Sequence, residues 1–344
     1  MNILFDIGHP AHFHLFKHFI QYLKDRDHTI VVASRDKDIT VQLLDAYGID
    51  HVCLSRMKKG APAMLLELLK RDVSVFNLHR RHGFHLAFGT SVSIAHLSAI
   101  SSVKSYILEE DDDDIVPLFA KLTYPFATGI IIPQNLRFTK WRKKRTFHNS
   151  FHELAYLHPD VFQPDRQLIK NKYGLEPHKY IVVRHSAYQA HHDWKEQGIS
   201  SEVWQDVEKL ISSYPVVRSH EKETRFEIDP LDIHHVLGLA KLILSDSQTM
   251  SMEAACLGVP SIRTNSFVGR ISVLEEMDRR YELSYGFRPG EESAMVEKIH
   301  ELLSQKELEA AWAIKRQKLL SEKENLTDWL IRFFNALSNE LLGT

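Results

Sequence analysis

Short apolar runs alternate with amphipathic stretches along the first half of the chain. Asn2–Ile7 is apolar and is stopped by Gly8, and His14–Lys24 then repeats Leu15, Phe16, Phe19, Ile20 and Leu23 at helical spacing. The same alternation gives a strand at Thr29–Ala33, a helix at Ile39–Tyr47, a strand at His51–Leu54 and a helix near Ala63–Arg71. A strand at His85–Phe88 opens the helix Val92–Ile100, and the strands Lys104–Leu108 and Gly129–Ile132 close this half. The pattern breaks over the basic Arg137–Arg145 and the proline-bearing His148–Pro164, which read as a crossing between domains. It resumes with strands at Tyr180–Val183, Pro215–Arg218, Leu242–Leu244 and Ser261–Arg263. Helices are expected at Glu202–Ile211, Met250–Leu257, Val273–Met277 and Ser293–Leu303, and the last segment, Glu307–Leu342, reads as helical.

Strands separated by helices of this length predict an α/β chain with two doubly wound, Rossmann-like parallel-sheet domains facing a cleft, followed by a C-terminal helical tail. The expected division is 1–157, joined by the tail 325–344, and 158–324. With 344 residues, two domains of ordinary size are the prior. In such sheets a ligand binds outside the carboxyl ends of the strands.

Composition excludes several classes. A formal net charge of −2 gives no reason to expect a nucleic-acid partner. Cys53 and Cys256 lie far apart in apolar surroundings and read as buried free thiols of a reducing compartment. The chain starts directly in a strand, and no apolar run approaches the ~20 residues that span a bilayer. A cytoplasmic protein is expected.

One stretch concentrates candidate chemistry. Ser245, Asp246 and Ser247 end a strand and lead at once into a helix, with Gln248 and Thr249 at its mouth. The amides and positive dipole of such a helix end suit a phosphate. Glu253 lies too deep in the helix for a capping-box acid, and a carboxylate there suits two ribose hydroxyls. The plainer alternative is a partly buried glutamate paired with an arginine such as Arg263. Arg263 and Asn265 return polar groups to the same edge, and Arg184, at another strand end, is placed to neutralise a diphosphate.

In the first half, Gly8 leaves the strand without a Cβ, and His9 and His12 flank a proline at the helix start. His14 is a weaker candidate. The acid block Glu109–Asp114 reads mostly as a solvated loop, with one of Glu109 to Asp111 free to bind acceptor hydroxyls or act as base. His191, His192 and Asp193 read as loop, because adjacent side chains do not easily face one ion, and no metal is expected. Arg218-Ser219-His220-Glu221 is a weaker site. Lys140–Arg145 sets Trp141 in a basic cluster that suits a peripheral contact with an anionic membrane, although a solvated linker is the plainer reading.

Asp246–Ala254 with Leu257-Gly258-Val259-Pro260 resembles the C-terminal nucleotide-sugar motif of the GT-B superfamily, most nearly that of non-hydrolysing UDP-N-acetylglucosamine 2-epimerases. The resemblance implies that Ser247 and its neighbours hold a diphosphate and Glu253 the ribose. Gln248 and Thr249 replace that family's glycine pair, Met252 replaces its first glutamate, and Asn265–Arg270 stands where its Thr-Glu-Arg-Pro-Glu segment would lie. Across the whole chain, Asp6–His12, Glu153–Pro159 and Arg263–Arg270 are similar to an uncharacterised GT-B-like family associated with surface polysaccharide synthesis. The loop Gly8–His12 is similar to the histidine-containing first loop of GT-B glycosyltransferases, where acceptor and donor sugar meet.

These likenesses imply an inverting, nucleotide-sugar-dependent glycosyltransferase. Its base is His9, His12 or an acid near Asp111; its donor is a UDP-sugar and its acceptor a glycan or lipid-linked sugar, with no resident cofactor. The alternatives are a nucleotide-sugar epimerase or hydrolase and a non-catalytic nucleotide-sugar or glycan-binding protein.

Overall fold

The structure, a computed structural model, describes residues 1–58, 60–185, 201–220 and 228–343. The chain divides into two compact units, Met1–Tyr156 with Glu324–Thr344, and Leu157–Lys323.

The first unit is built on a parallel seven-stranded sheet of order β3-β2-β1-β4-β5-β6-β7. Its strands are β1 Asn2–Ile7, β2 Thr29–Asp36, β3 His51–Arg56, β4 Leu86–Gly89, β5 Lys104–Leu108, β6 Gly129–Pro133 and β7 Arg145–His148. The connecting helices are α1 Pro10–Lys24, α2 Thr40–Ala46, α3 Ala61–His82, α4 Val92–Ile100 and α5 Pro117–Thr123. The order reverses between β1 and β4, so the crevice of this sheet opens at their carboxyl ends, where Gly8 and Gly89 lie. Central strands are largely apolar because both faces are covered. Phe5 sits 5.4 Å from Phe16 and 5.7 Å from Phe19 edge to face, and stacks at 5.6 Å on Phe88. The final helix, Leu326–Leu342, lays Phe334 6.0 Å from Phe19 and Phe333 5.1 Å from Tyr106.

A buried polar chain stitches β1, β2 and β3 to α3. Arg71 donates to Asp6, to the Ser34 carbonyl at 3.1 Å and to Ser55 Oγ at 3.0 Å. Glu67 takes both Arg35 donors at 2.7 and 2.8 Å and accepts from Ser55 Oγ at 2.8 Å. Beside it, a Cβ on Gly89 would lie 2.7 Å from the Asp6 carbonyl oxygen, so only glycine lets β4 run this close to β1.

Three expectations do not hold. The basic stretch is not all crossing: it feeds β7, which pairs with β6 through Ile130 and Arg145. Arg145 is buried, stacks 4.3 Å over Phe138 and grips Asp113 at 2.7 and 2.8 Å, while Lys144 donates to two carbonyls at 2.7 Å. The acid block is not a solvated loop: Asp112 is fully buried and accepts from the Arg137 amide at 2.6 Å. Cys256 is buried, but Cys53 is exposed, because β3 is the edge strand and its outer face is open.

The second unit carries a parallel five-stranded sheet of order β12-β11-β10-β8-β9. Its strands are β8 Ile181–His185, β9 Val216–His220, β10 Leu242–Ser245, β11 Ser261–Thr264 and β12 Ser284–Phe287. Here the order reverses between β8 and β10, which puts the crevice of this sheet at Ser245. The tail is two helices, Leu308–Glu322 and Leu326–Leu342, and they belong to different units. Among the described residues, no helix is long and apolar enough to cross a membrane.

Candidate functional site

In the second unit, Arg184, Ser245 and Arg263 are paired in register on β8, β10 and β11, so two guanidinium side chains flank one strand end. Beyond Ser245 the chain turns into the helix Gln248–Cys256. Ser245 Oγ accepts from the Ser247 amide at 2.9 Å, and Ser247 is the N-cap, its Oγ accepting from the Met250 amide at 3.4 Å. Helix geometry leaves the amides of Gln248 and Thr249 without an acceptor four residues back. Asn265 locks the turn from the next strand: its Nδ2 donates to the Asp246 carbonyl at 3.2 Å while its Oδ1 accepts from the Phe267 amide at 3.0 Å. Asp246 through Thr249 are half-buried.

Glu253 is buried, 5% exposed, and its Oε1 lies 3.0 Å from Nε2 of the equally buried His234. The plainer alternative, a pairing of Glu253 with Arg263, is not what the structure shows: Arg263 bonds Asp278 at 3.0 Å, and Asp278 also accepts from Ser284. Arg263 has no solvent exposure, and its Nε and Nη1 meet no acceptor among the described residues. His234 escaped the sequence reading because it stands in the short helix Ile233–Gly238, for which no periodic signal was found.

Arg218 pairs with Glu208 at 3.2 Å, which ties it to the helix Ser201–Ile211. His191, His192, Asp193 and Glu221 lie outside the described residues. A cavity of about 980 Å³ lined by Arg166, His178, Lys241 and Arg316 opens beside Lys241 and Pro260, which enter β10 and β11; it therefore lies at the opposite strand ends.

The first unit gathers its candidates at the carboxyl ends of β1, β5 and β7. A Cβ built on Gly8 meets nothing within 4 Å. His9 is the N-cap of α1: its Nδ1 accepts from the Ala11 amide at 3.2 Å, leaving Nε2 to carry the proton, 3.8 Å from Asp38. Its ring lies 5.8 Å from that of His12. Burial, with His9, His152 and Lys37 nearby, holds His12 well below the usual histidine range, so it is neutral at pH 7; its Nδ1 is buried with no partner among the described residues. His14 is buried in the helix and stacks 5.1 Å from Tyr156.

The acid block divides by partner. Asp112 and Asp114 lie 3.2 and 3.6 Å from Arg137, and Asp113 bonds Arg145. Glu109 turns back on itself, its Oε1 accepting from the amides of Glu110 at 3.0 Å and Asp111 at 3.1 Å. Burial and then Asp111 raise it to about 8.

Glu110 is different. Its Oε2 lies 3.4 Å from both the amide and Nδ1 of His152, and burial with Glu153, Asp111 and Glu109 pushes its carboxyl well above the ordinary range. Asp111 is raised by burial and Asp112. Burial lowers His152 to about 3, and its Nε2 is buried without a partner among the described residues. Both His12 and His152 therefore stay neutral beside carboxyls of raised proton affinity, an arrangement suited to proton transfer. The pairing of Glu110 with His152 went unread because the residues lie 42 positions apart, on two different strand ends.

Residues 1–273 match the family described as "Protein of unknown function (DUF354)", and the chain belongs to that family. No curated protein matches the chain. Among solved structures the chain is similar to the UDP-GlcNAc 2-epimerase of Methanocaldococcus jannaschii, at 12% identity and a TM-score of 0.64, covering 89% of this chain and 94% of that one. It is similar to the UDP-GlcNAc 2-epimerase of Neisseria meningitidis bound to UDP-GlcNAc, at 13% identity and a TM-score of 0.59 over 95% and 96% of the two chains. It is also similar to the spinosyn forosaminyltransferase SpnP, at 12% identity and 0.65 over 98% and 99%. At these identities the likeness establishes the fold, which is GT-B-like: two parallel-sheet α/β domains with a helical C-terminal end.

Proposed function

We propose that this member of the family is a nucleotide-sugar-dependent glycosyltransferase of the GT-B type, inverting at the anomeric carbon, that works in cell-surface polysaccharide or glycoconjugate synthesis. The observation that carries the reading is the register of Arg184, Ser245 and Arg263 at the point where the second sheet reverses its order, directly ahead of a hydroxyl-capped helix end. The Arg184 guanidinium and a set of amides at such a point suit a diphosphate, with the buried Arg263–Asp278 pair behind them, and the carboxyl of Glu253 suits the ribose. A UDP-sugar is the proposed donor, since two solved neighbours are described as carrying UDP-GlcNAc. The acceptor is a glycan or lipid-linked sugar.

In the proposed reaction a general base takes the proton of an acceptor hydroxyl. The freed oxygen forms a bond to the anomeric carbon, and the bond from that carbon to the diphosphate oxygen breaks. Arg184 and the amides around Ser247–Thr249 take up the charge on the departing nucleotide diphosphate. Glu110, next to Asp111, is the base best supported: its raised carboxyl is a stronger base once ionised, and His152 orients it. His12 is a second candidate. His9 is less suited because its Nδ1 lone pair is engaged by the Ala11 amide.

The same acids also suit abstraction of a ring proton, as an epimerisation would need; two neighbours are described as UDP-GlcNAc 2-epimerases, and one assay separates the readings. The protein is incubated with UDP-, GDP-, dTDP- and CMP-sugars, with and without lipid-linked acceptors. Free nucleotide diphosphate that appears only with acceptor supports transfer. A new sugar isomer still joined to nucleotide means epimerisation, and sugar released without acceptor means hydrolysis. Binding without turnover makes the protein a binding partner.

A further inference from the structure

The helix α3 is inverted over its first three turns. Its inward face carries charge: Glu67 and Arg71 are buried, bonded to Arg35, Ser55 and Asp6. Its outward face carries the apolar residues Leu65, Leu66, Leu69 and Val73, which are 60%, 50%, 55% and 62% exposed. At about 100° per residue, Leu65, Leu69 and Val73 fall on one stripe, roughly opposite the buried Glu67, Arg71 and Val75. Met64, 51% exposed, and Met57, 41% exposed ahead of the helix, are further exposed apolar side chains at its N-terminal end. Single exposed apolar side chains are ordinary, but a contiguous stripe on the outer face of one helix marks a surface that is covered in use.

The exposed charges of α3 itself have one sign. The two acids of α3 are engaged elsewhere, Glu67 with Arg35 and Asp72 with His96 at 2.8 Å. Lys58, Lys70, Arg80 and Arg81 are exposed on or beside the same helix. An apolar face rimmed by cations, with one acid of the helix buried and the other paired to His96, complements a surface that is apolar below and anionic above.

We propose that the outer face of α3 docks this protein on an anionic lipid bilayer, with Leu65, Leu69 and Val73 entering the headgroup boundary and the lysines and arginines meeting the lipid phosphates. The inference goes beyond the sugar-transfer reading and stands or falls without it. It places the contact on a different segment from the basic cluster Lys140–Arg145, of which Arg145 is buried and Lys144 is tied to backbone carbonyls.

The test is flotation of the full chain with vesicles of phosphatidylcholine alone and of phosphatidylcholine with about one-third phosphatidylglycerol. Wild-type protein is expected to float with the anionic vesicles, at least about tenfold more than with neutral ones, and to be released by salt. The double variant Leu65→Ser/Leu69→Ser changes two exposed side chains, so its melting temperature should hold while flotation falls by about tenfold or more. Lys58→Glu/Lys70→Glu should lose the preference for anionic vesicles.

Four results would each overturn the proposal. The wild type could fail to float, or the leucine variant could float as well as wild type. Binding could be lost only on changing Lys140 and Lys143. Sedimentation could instead show a dimer that the leucine variant dissociates, with no vesicle binding, which would make the face a contact between two copies. Since no sugar nucleotide is present, failure here leaves the transferase reading untouched.

Discussion

Nε2 of His234 lies 3.0 Å from Oε1 of Glu253, and both side chains are buried. A carboxylate only accepts, so the imidazole donates and fixes the direction of the acid from a neighbouring helix. Glu253→Ala removes the proposed ribose ligand and the acceptor that faces Nε2 of His234. Nucleotide affinity should fall about 10- to 100-fold, the size expected for hydrogen bonds to a charged group, with about 1–3 kcal/mol lost from stability. His234→Ala should weaken binding less, because it frees the acid without deleting it. Calorimetric titration with UDP checks both, and an unchanged affinity in Glu253→Ala removes the residue from the site.

Arg71→Ala should be among the most damaging single changes in the first unit. It strands Asp6, 1% exposed, without its guanidinium, and breaking one side of a buried ion pair costs about 3–5 kcal/mol. Urea unfolding should show a large drop in midpoint with little change in slope. A loss below ~1 kcal/mol would mean that the Asp6–Arg71 contact does not organise this end of the sheet.

Gly89→Ala tests the approach of β4 to β1. The added methyl would sit 2.7 Å from the Asp6 carbonyl oxygen, a backbone atom held by two ladders, so relief requires the strands to part. Overpacking of this kind costs about 1–3 kcal/mol. Gly8→Ala adds the same methyl to open space and should leave stability unchanged, which makes it the control.

The doubly wound fold was legible because its central strands are buried on both faces and so read as short, largely apolar runs, as in Ile3–Phe5 and Tyr106–Leu108. β7 was not, since Arg-Thr-Phe-His has no such run and its arginine is buried against Asp113 and Phe138, distant in sequence or outside the strand. α3 was expected to end near Arg71 but continues to His82, and its outward leucines match a helical period without revealing which face is inside. The turn at Ser245–Thr249 was visible as a strand end feeding a helix. The partners that orient the acids were not: His234 and His152 reach Glu253 and Glu110 across 19 and 42 residues, and single-sequence periodicity carries no such pairing.

The buried acid–imidazole group makes the first unit's stability depend on pH from both sides. Burial and Asp111 raise Glu109 to about 8 from 4.5, so the folded state keeps a proton that the unfolded chain gives up. That stabilisation is complete below 4.5, declines as pH rises through the window, and is gone above about 8. His152 works in the opposite sense. Its folded value is near 3 against 6.5 unfolded, so its contribution is present above 6.5 and is lost as pH falls toward 3. Glu109→Gln keeps a carbonyl oxygen for the amides of Glu110 and Asp111 but has nothing to ionise. Its advantage over wild type should therefore be absent at low pH and grow to a few kcal/mol near the alkaline end, since each tenfold difference in proton affinity between folded and unfolded chain is worth ~1.4 kcal/mol. His152→Gln should flatten the acid limb alone. Urea midpoints taken across both windows decide it: an advantage for Glu109→Gln that is the same at both ends would mean that the carboxyl is already ionised in the folded chain at neutral pH.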